Sequence, residues 1–240
     1  MRLAATDFGG SGRGFLLIHG LGGTRQVWEA LAPRLEGRAV AVDLRGHGES
    51  PDGPWDWEAV LDDLDETAVH FGLDNPVVVG HSLGGILAGR WATRHPECPA
   101  AVSLDGHRSA TTHPHNFEGL PAKEVEAGLK QLNAMFDAQL EMITRPSREI
   151  TGALRTAPDM LDALPLFRQV TAPFLLVLAT RNLPVPPDLL PLMDAHRAGL
   201  RRDVEGIRTQ EIDATHGLVT ERPAEVAAIV NQFVSNRVRA

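Results

Sequence analysis

Short runs of apolar residues recur along the chain and alternate with longer segments of helical periodicity. The runs occupy 15–18, 39–42, 76–79, 100–104 and 174–178, with a sixth expected at 207–212. Runs that are apolar throughout suit strands covered on both faces, and strands that alternate with helices indicate βαβ units around a parallel sheet. The sequence therefore predicts an α/β fold, with a mostly parallel central sheet and helices on both of its faces.

One long stretch, residues 107–168, interrupts this alternation because it has no strand pattern. Within it, apolar residues recur at steps of three and four from Val125 to Ile143, which is the pattern of an amphipathic helix. We interpret 107–168 as a small helical cap inserted into a core formed by 1–106 and 169–240. The alternative is an ordinary linker with a surface helix.

Composition and charge narrow the range of partners. Among 240 residues, 23 Lys+Arg against 31 Asp+Glu give a formal net charge of −8. An acidic surface repels phosphate backbones and anionic lipid heads, so we expect neither nucleic acid nor membrane as a partner. No apolar stretch reaches the ~18 residues that span a bilayer. Cys98 is the single cysteine, which suits a reducing compartment, and a cytoplasmic location is expected. Oligomeric state cannot be read from the sequence.

The segment Gly80-His81-Ser82-Leu83-Gly84-Gly85 follows a predicted strand and opens a predicted helix at 83–95. In this context a G-x-S-x-G motif carries a nucleophilic serine. The turn is sharp enough to strain the serine backbone, and the glycines on either side leave room for the crossing strand and helix. The Ser82 hydroxyl is then expected above the sheet, at the positive end of the helix dipole.

Three further segments accompany this serine motif: His19-Gly20-Leu21-Gly22-Gly23 after the first strong strand, Asp43-Leu44-Arg45-Gly46-His47-Gly48-Glu49-Ser50 after the next, and Asp213-Ala214-Thr215-His216-Gly217 after the last. Their kind and order resemble the α/β-hydrolase superfamily. The resemblance implies acyl transfer to water through an acyl-enzyme. It assigns Ser82 as nucleophile, His216 as general base, and the backbone N–H groups of Leu21 and Leu83 as the oxyanion hole. No metal or organic cofactor is expected.

Ten histidines compete for the role of base. His216 is the one in a loop after a strand near the C-terminus, and activity should rise with pH as it loses its proton. A metal site at His107, His113 and His115 is the weaker alternative, because no carboxylate or cysteine with ligand spacing accompanies them.

The acid of the triad departs from the commonest pattern of the superfamily. Asn182 stands where an aspartate usually follows the strand at 174–178. An amide cannot stabilise an imidazolium as a carboxylate does, and the equivalent change in a serine protease costs ~10⁴ in turnover. A minority of the superfamily carries the acid one strand earlier, where this chain has Asp105. We therefore expect Asp105 to complete the triad.

Alternatives to Asp105 stay open. Asp105 precedes Gly106, and this pairing is also common in simple turns. Asp188 and Asp213 are weaker candidates for the acid. If none of the three serves, the site is a dyad of Ser82 and His216.

The expected substrate is a small or medium apolar ester, lactone or thioester. Trp28, Phe117, Met135 and Phe136 are candidates to line its pocket, although each also suits ordinary packing. The same triad would serve a carbon–carbon bond hydrolase or a cofactor-free perhydrolase. A ligand receptor with slow turnover is an alternative of another class, favoured only by Asn182. A structural or interaction protein with a vestigial site is a third alternative. The serine motif argues against it, because a protein that needed only the fold would have no use for a strained serine.

Overall fold

Seven strands form one twisted sheet in the computed structural model, which describes residues 1–109 and 117–238. The strands are β1 Ala5–Asp7, β2 Gly14–Ile18, β3 Arg38–Val42, β4 Val77–His81, β5 Ala101–Leu104, β6 Phe174–Ala179 and β7 Thr209–Ile212. Their order across the sheet is β1-β3-β2-β4-β5-β6-β7. The edge strand β1 runs antiparallel to β3, and every other pair is parallel. The mostly parallel sheet predicted from the sequence is confirmed.

Helices cover both faces of the sheet, as the continuous apolar runs predict. They are α1 Trp57–His70, α2 Leu83–Arg94, α3 Ala122–Glu141, α4 Arg148–Thr156, α5 Pro158–Leu161, α6 Leu164–Phe167, α7 Leu190–Asp203, α8 Leu218–Glu221 and α9 Pro223–Val238. Side chains alternate between the faces along each strand. In β2, Leu16 and Ile18 join one buried cluster with α1 and α2, and Phe15 and Leu17 join another with α9.

The helices α3 to α6 lie between β5 and β6, within the segment interpreted as a cap. A small third apolar cluster joins α3 to the start of α7 through Leu132, Leu189 and Leu192. Arg145 fixes the segment to the core by donating to the carbonyl oxygens of Gly46 (3.0 Å) and Ser50 (2.7 Å). The boundaries 107–168 stay a prediction.

Three elements differ from the sequence prediction. The edge strand β1 has three residues, too few for a recognisable apolar run, and β7 begins at Thr209 rather than at Ile207. The helix α7 was not predicted because a proline-rich segment precedes it and its apolar face is narrow.

Candidate active site

Ser82 occupies the turn between β4 and α2 with a left-handed backbone, φ +54° and ψ −116°. A non-glycine residue with positive φ is strained and persists only where the surroundings impose it. A side-chain Cβ added at Gly80 would lie 1.8 Å from the carbonyl oxygen of Gly84, and one at Gly84 would lie 2.1 Å from that of Ile18. The glycines are therefore required by close backbone packing, and the turn has the geometry expected of the serine motif.

The loop at His19–Gly23 lies against this turn, because a Cβ at Gly20 would be 3.0 Å from the Cβ of Ser82. His19 is fully buried; its Nδ1 donates to the carbonyl oxygen of Gly20 (2.7 Å), and its Nε2 accepts from the N–H of Leu44 (3.0 Å). Burial lowers the pKa of His19 to about 3, so its ring stays neutral. His19 thus shapes the loop instead of moving protons.

The two predicted oxyanion donors are both available. Neither the N–H of Leu21 nor that of Leu83 has an acceptor in the described part of the chain. Leu83 is the first residue of α2, where backbone N–H groups lack a partner within the helix and carry its positive dipole end.

Asp105 and His216 are brought together although 111 residues separate them. The Nδ1 of His216 lies 2.7 Å from Oδ2 of Asp105. Asp105 follows β5 directly and also has a positive φ, +53°. Burial raises the pKa of the Asp105 carboxyl, but attraction to His107 and hydrogen bonds from His107 and His216 outweigh it and hold the pKa well below its ordinary value. The carboxylate is therefore ionised beside the ring of His216.

The other acid candidates lie elsewhere. Asn182 accepts from the guanidinium of Arg197 (2.6 Å) and donates to Asp194 (3.0 Å), so its amide belongs to a network with α7. Asp213 is exposed, 3.3 Å from Arg181, and Asp188 is also exposed. Of the carboxylates considered from the sequence, Asp105 alone is placed on His216.

One contact expected of a catalytic triad, the hydrogen bond between the serine hydroxyl and the histidine, is not formed in the described residues. In the described residues the Ser82 hydroxyl has no hydrogen-bond partner, and the His216 side chain is 39% exposed. Such bonds are often long in unliganded enzymes and tighten when substrate binds. The backbone of His216 is held by His81, whose Nε2 donates to its carbonyl oxygen (2.8 Å) and whose pKa burial lowers to about 4. His81 thus supports the loop of His216, a role that the motif alone did not reveal.

The four residues proposed to line the pocket lie in different surroundings. Trp28 is 0% exposed in the core beside α9, so it faces no open site and is corrected to a core residue. Phe117 is buried in the small cluster between α3 and α7, and Met135 packs against that cluster half-buried. Phe136 is 46% exposed. Sequence reasoning missed Ile143, which lies on Gly22 of the loop at His19–Gly23.

Other classes of site find no support in the described residues. Among residues 1–109 and 117–238, no group of three or more His, Cys, Asp or Glu side chains is arranged to hold a metal ion. His113 and His115, two members of the alternative metal set, lie outside the described residues. Within the same ranges, none of the helices combines the length and the apolar character that a membrane span requires.

Comparison with known proteins identifies the family. The model of the alpha/beta hydrolase family matches residues 15–229. This chain belongs to the alpha/beta hydrolase family. A pimeloyl-acyl-carrier-protein methyl ester esterase of Neisseria meningitidis serogroup C is 30% identical over 213 residues, covering 77% of this chain and 81% of the relative. The serogroup A protein of the same name is 30% identical, with 91% and 75% covered.

A solved structure agrees with the family assignment at the level of the fold. The enol-lactonase from Burkholderia xenovorans LB400 superposes with a TM-score of 0.67 at 21% identity, covering 97% of this chain and 96% of the lactonase. At this identity the likeness shows the α/β-hydrolase fold alone.

Proposed function

We propose that this esterase-type enzyme hydrolyses a carboxylic ester through an acyl-enzyme on Ser82, with His216 as base and Asp105 as the acid of the triad. The observation that carries the proposal is the 2.7 Å contact between Asp105 Oδ2 and His216 Nδ1, close to a serine held at φ +54°. The names of the relatives, which are esterases, support the same reaction type.

In the first half of the reaction, Ser82 Oγ attacks the ester carbonyl carbon while His216 Nε2 takes the hydroxyl proton. The electron pair of the carbonyl bond moves to its oxygen, which the N–H groups of Leu21 and Leu83 stabilise. When the tetrahedral intermediate collapses, the bond to the alcohol oxygen breaks. The alcohol leaves with the proton from His216, and the acyl group stays on Ser82.

In the second half, water takes the place of the alcohol. His216 Nε2 removes a proton from the water as its oxygen attacks the acyl carbon, and the same two N–H groups hold the oxyanion. Collapse returns the electron pair to Ser82 Oγ, which recovers its proton from His216, and the carboxylic acid is released. Asp105 remains ionised throughout and stabilises the imidazolium that forms twice per cycle.

The substrate class we propose is a small or medium apolar ester, lactone or thioester. Phe117, Met135 and Phe136 stay candidates to line the pocket, and the support comes from Ile143, an apolar side chain that lies on Gly22 of the loop at residues 19–23. Trp28 takes no part, since it is buried in the core. The expectation of a cytoplasmic setting stays a prediction, resting on the single cysteine.

The test is hydrolysis of a p-nitrophenyl ester series, from acetate to decanoate, by wild type and Ser82→Ala. Removing the nucleophile should lower kcat by ~10⁶, whereas Ser235→Ala, the same change at an exposed position on α9, should match wild type. Equal rates for wild type and Ser82→Ala would refute Ser82 as nucleophile. Mass increase on the Ser82 peptide after treatment with a p-nitrophenyl phosphonate checks the covalent step independently.

Two alternative activities are outcomes of the same study. Serine-dependent cleavage of a diketone but not of esters would favour the carbon–carbon hydrolase, and serine-dependent peracid formation the perhydrolase. Tight ligand binding with turnover far below ~1 s⁻¹ would favour the receptor. The receptor alternative was raised because Asn182 occupies the usual position of the acid. The amide of Asn182 accepts a hydrogen bond from Arg197, and the carboxylate of Asp105 contacts His216.

A further inference from the structure

The carboxylate of Asp105 accepts hydrogen bonds from three N–H groups, not from His216 alone. Oδ2 faces His216, while Oδ1 accepts from the backbone N–H of Ala179 (2.9 Å) and lies 3.2 Å from Nε2 of His107. His107 is almost fully buried, with 11% of its side chain exposed. A second histidine therefore contacts the acid from the side opposite the proposed base.

The contact at the other ring nitrogen of His107 indicates which nitrogen donates to Asp105. Nδ1 accepts from the backbone N–H of Arg108 (2.7 Å). A neutral imidazole carries one proton, so an acceptor at Nδ1 places the hydrogen on Nε2, where it points to Asp105. Protonating Nδ1 would set two N–H groups against each other. The geometry thus makes Nε2 the nitrogen of His107 that donates to Asp105.

The residues around His107 hold it in place from two sides. Its carbonyl oxygen accepts from the N–H of Ala163 (2.8 Å), at the start of α6. On the other side lies His196 of α7, with ring centroids 6.1 Å apart. Burial lowers the pKa of His196 to about 3, so this neighbour is neutral. The charged groups nearby are Asp105, Arg197 and Arg108, the last paired with Asp162 and Asp203.

We propose that His107 is a positioning residue for the triad: its Nε2–H holds Oδ1 of Asp105 and thereby aims Oδ2 at Nδ1 of His216. The inference rests on the proposed function of Ser82, His216 and Asp105. A carboxylate fixed by one donor can still turn about its last torsion. Two donors that reach the same oxygen from different elements, β6 and the residue after Gly106, fix the plane of the group.

Loss of His107 would have two effects on the acid. Oδ1 of Asp105 would then accept from the N–H of Ala179 alone, so the plane of the carboxylate would be held less tightly toward His216. The space left beside Oδ1 would also admit water, which weakens the attraction between carboxylate and imidazolium. Both effects weaken the stabilisation of the imidazolium in the transition state and neither touches the bound substrate, so they lower kcat and leave KM nearly unchanged.

The experiment compares three substitutions at His107 in the full chain. Gln carries an amide N–H at the position of Nε2 and retains a donor to Asp105. Asn carries its amide at the position of Nδ1, too short to reach Asp105, and Leu has no donor. His70→Leu on the exposed end of α1 is the matched control. We expect kcat for p-nitrophenyl butyrate to fall about 10- to 100-fold in His107→Leu and His107→Asn, with KM within about twofold. His107→Gln should recover most of the loss, and His70→Leu should equal wild type.

A second measurement needs no substrate. The Nδ1 proton of His216, held against a buried carboxylate, should give a downfield resonance in the proton NMR spectrum, identified by its loss in Asp105→Ala. It should shift or broaden in His107→Leu and return in His107→Gln. If His107→Leu does not fold, the comparison of Asn with Gln, two amides of similar polarity, carries the test.

Several results would overturn the inference. Wild-type kcat in His107→Leu would do so, as would an equal loss in Leu and Gln, because shape alone would then explain the effect. An NMR signal unchanged by His107→Leu would have the same meaning. Failure of the proposed function is recognised separately: wild type and Ser82→Ala would then have equal rates, and the NMR comparison alone would decide the role of His107.

Discussion

Replacing Asp105 with asparagine tests the proposed triad at the position where this chain departs from the common pattern. The carboxylate serves three donors: His107 and the N–H of Ala179 at Oδ1, and His216 at Oδ2. An asparagine offers one oxygen and one NH₂ group. If the NH₂ group replaced Oδ1 it would face two N–H donors, one of them a backbone group that cannot change. The oxygen of the amide must therefore stay at that position.

The NH₂ group of the asparagine then faces Nδ1 of His216. To avoid two opposed N–H groups, the ring must move its proton to Nε2, which removes the lone pair that would accept the proton of Ser82. The same change of tautomer, with loss of the carboxylate charge, costs ~10⁴ in a serine protease. We expect a fall of ~10⁴ in kcat, or about 5.4 kcal/mol of transition-state stabilisation at 1.36 kcal/mol per tenfold.

The assay is hydrolysis of p-nitrophenyl butyrate under saturating conditions, with thermal unfolding to verify the fold. Asn182→Asp is the matched control, since Asn182 is bound to Arg197 and lies away from His216. The single variant Asn182→Asp should keep wild-type kcat, and it should not rescue Asp105→Asn in the double variant. A loss smaller than about tenfold in Asp105→Asn, or rescue by Asn182→Asp, would refute the assignment of Asp105.

Two further predictions concern stability. His196→Leu removes a buried histidine whose pKa is lowered to about 3 from its ordinary 6.5, mainly by burial. The unfolded chain binds this proton below pH 6.5 and the folded chain only near pH 3, so the folded protein loses stability as the pH falls below 6.5. Between pH 6.5 and 4, the free energy of unfolding measured in urea should therefore fall by up to ~1.4 kcal/mol less per pH unit in the variant than in wild type. The same dependence on pH in both proteins would contradict this prediction. Arg145→Ala removes the hydrogen bonds to the carbonyl oxygens of Gly46 and Ser50, which should lower the free energy of unfolding by ~1–2 kcal/mol and speed proteolysis within 117–168. Arg148→Ala, a change at an exposed position, is the control. Equal rates of cleavage in the two variants would count against an anchored cap.

The sequence was most informative where one local pattern decides the outcome. The apolar runs predict the parallel strands because both faces are buried, and the serine turn is predicted because its glycines meet backbone atoms. The placement of Asp105 beside His216 was expected from the family resemblance, and it agrees with the common edge at which parallel strands end. The strands and the serine turn need no knowledge of distant contacts.

Other features depend on contacts that no local pattern encodes. Trp28 suits a pocket or a core equally well by its chemistry, and only the packing of α9 over it decides for the core. The use of Asn182 by Arg197 depends on α7, which was not predicted. His107 was considered only as a member of a possible metal site, because its contact with Asp105 depends on the positive φ of Asp105, which the sequence does not specify.

The wide sequence separation within the proposed site has a consequence for folding. The hydrogen bond from His216 to Asp105 closes a loop of 111 residues, and that from His81 to the carbonyl oxygen of His216 closes one of 135. Contacts between residues so far apart in the sequence form late in folding, because the entropy of closing long loops must be overcome first. After dilution from denaturant, recovery of ester hydrolysis should therefore lag behind recovery of the helical signal. Enzyme activity would then report the last step of chain assembly, when the C-terminal segment joins a sheet that is already formed.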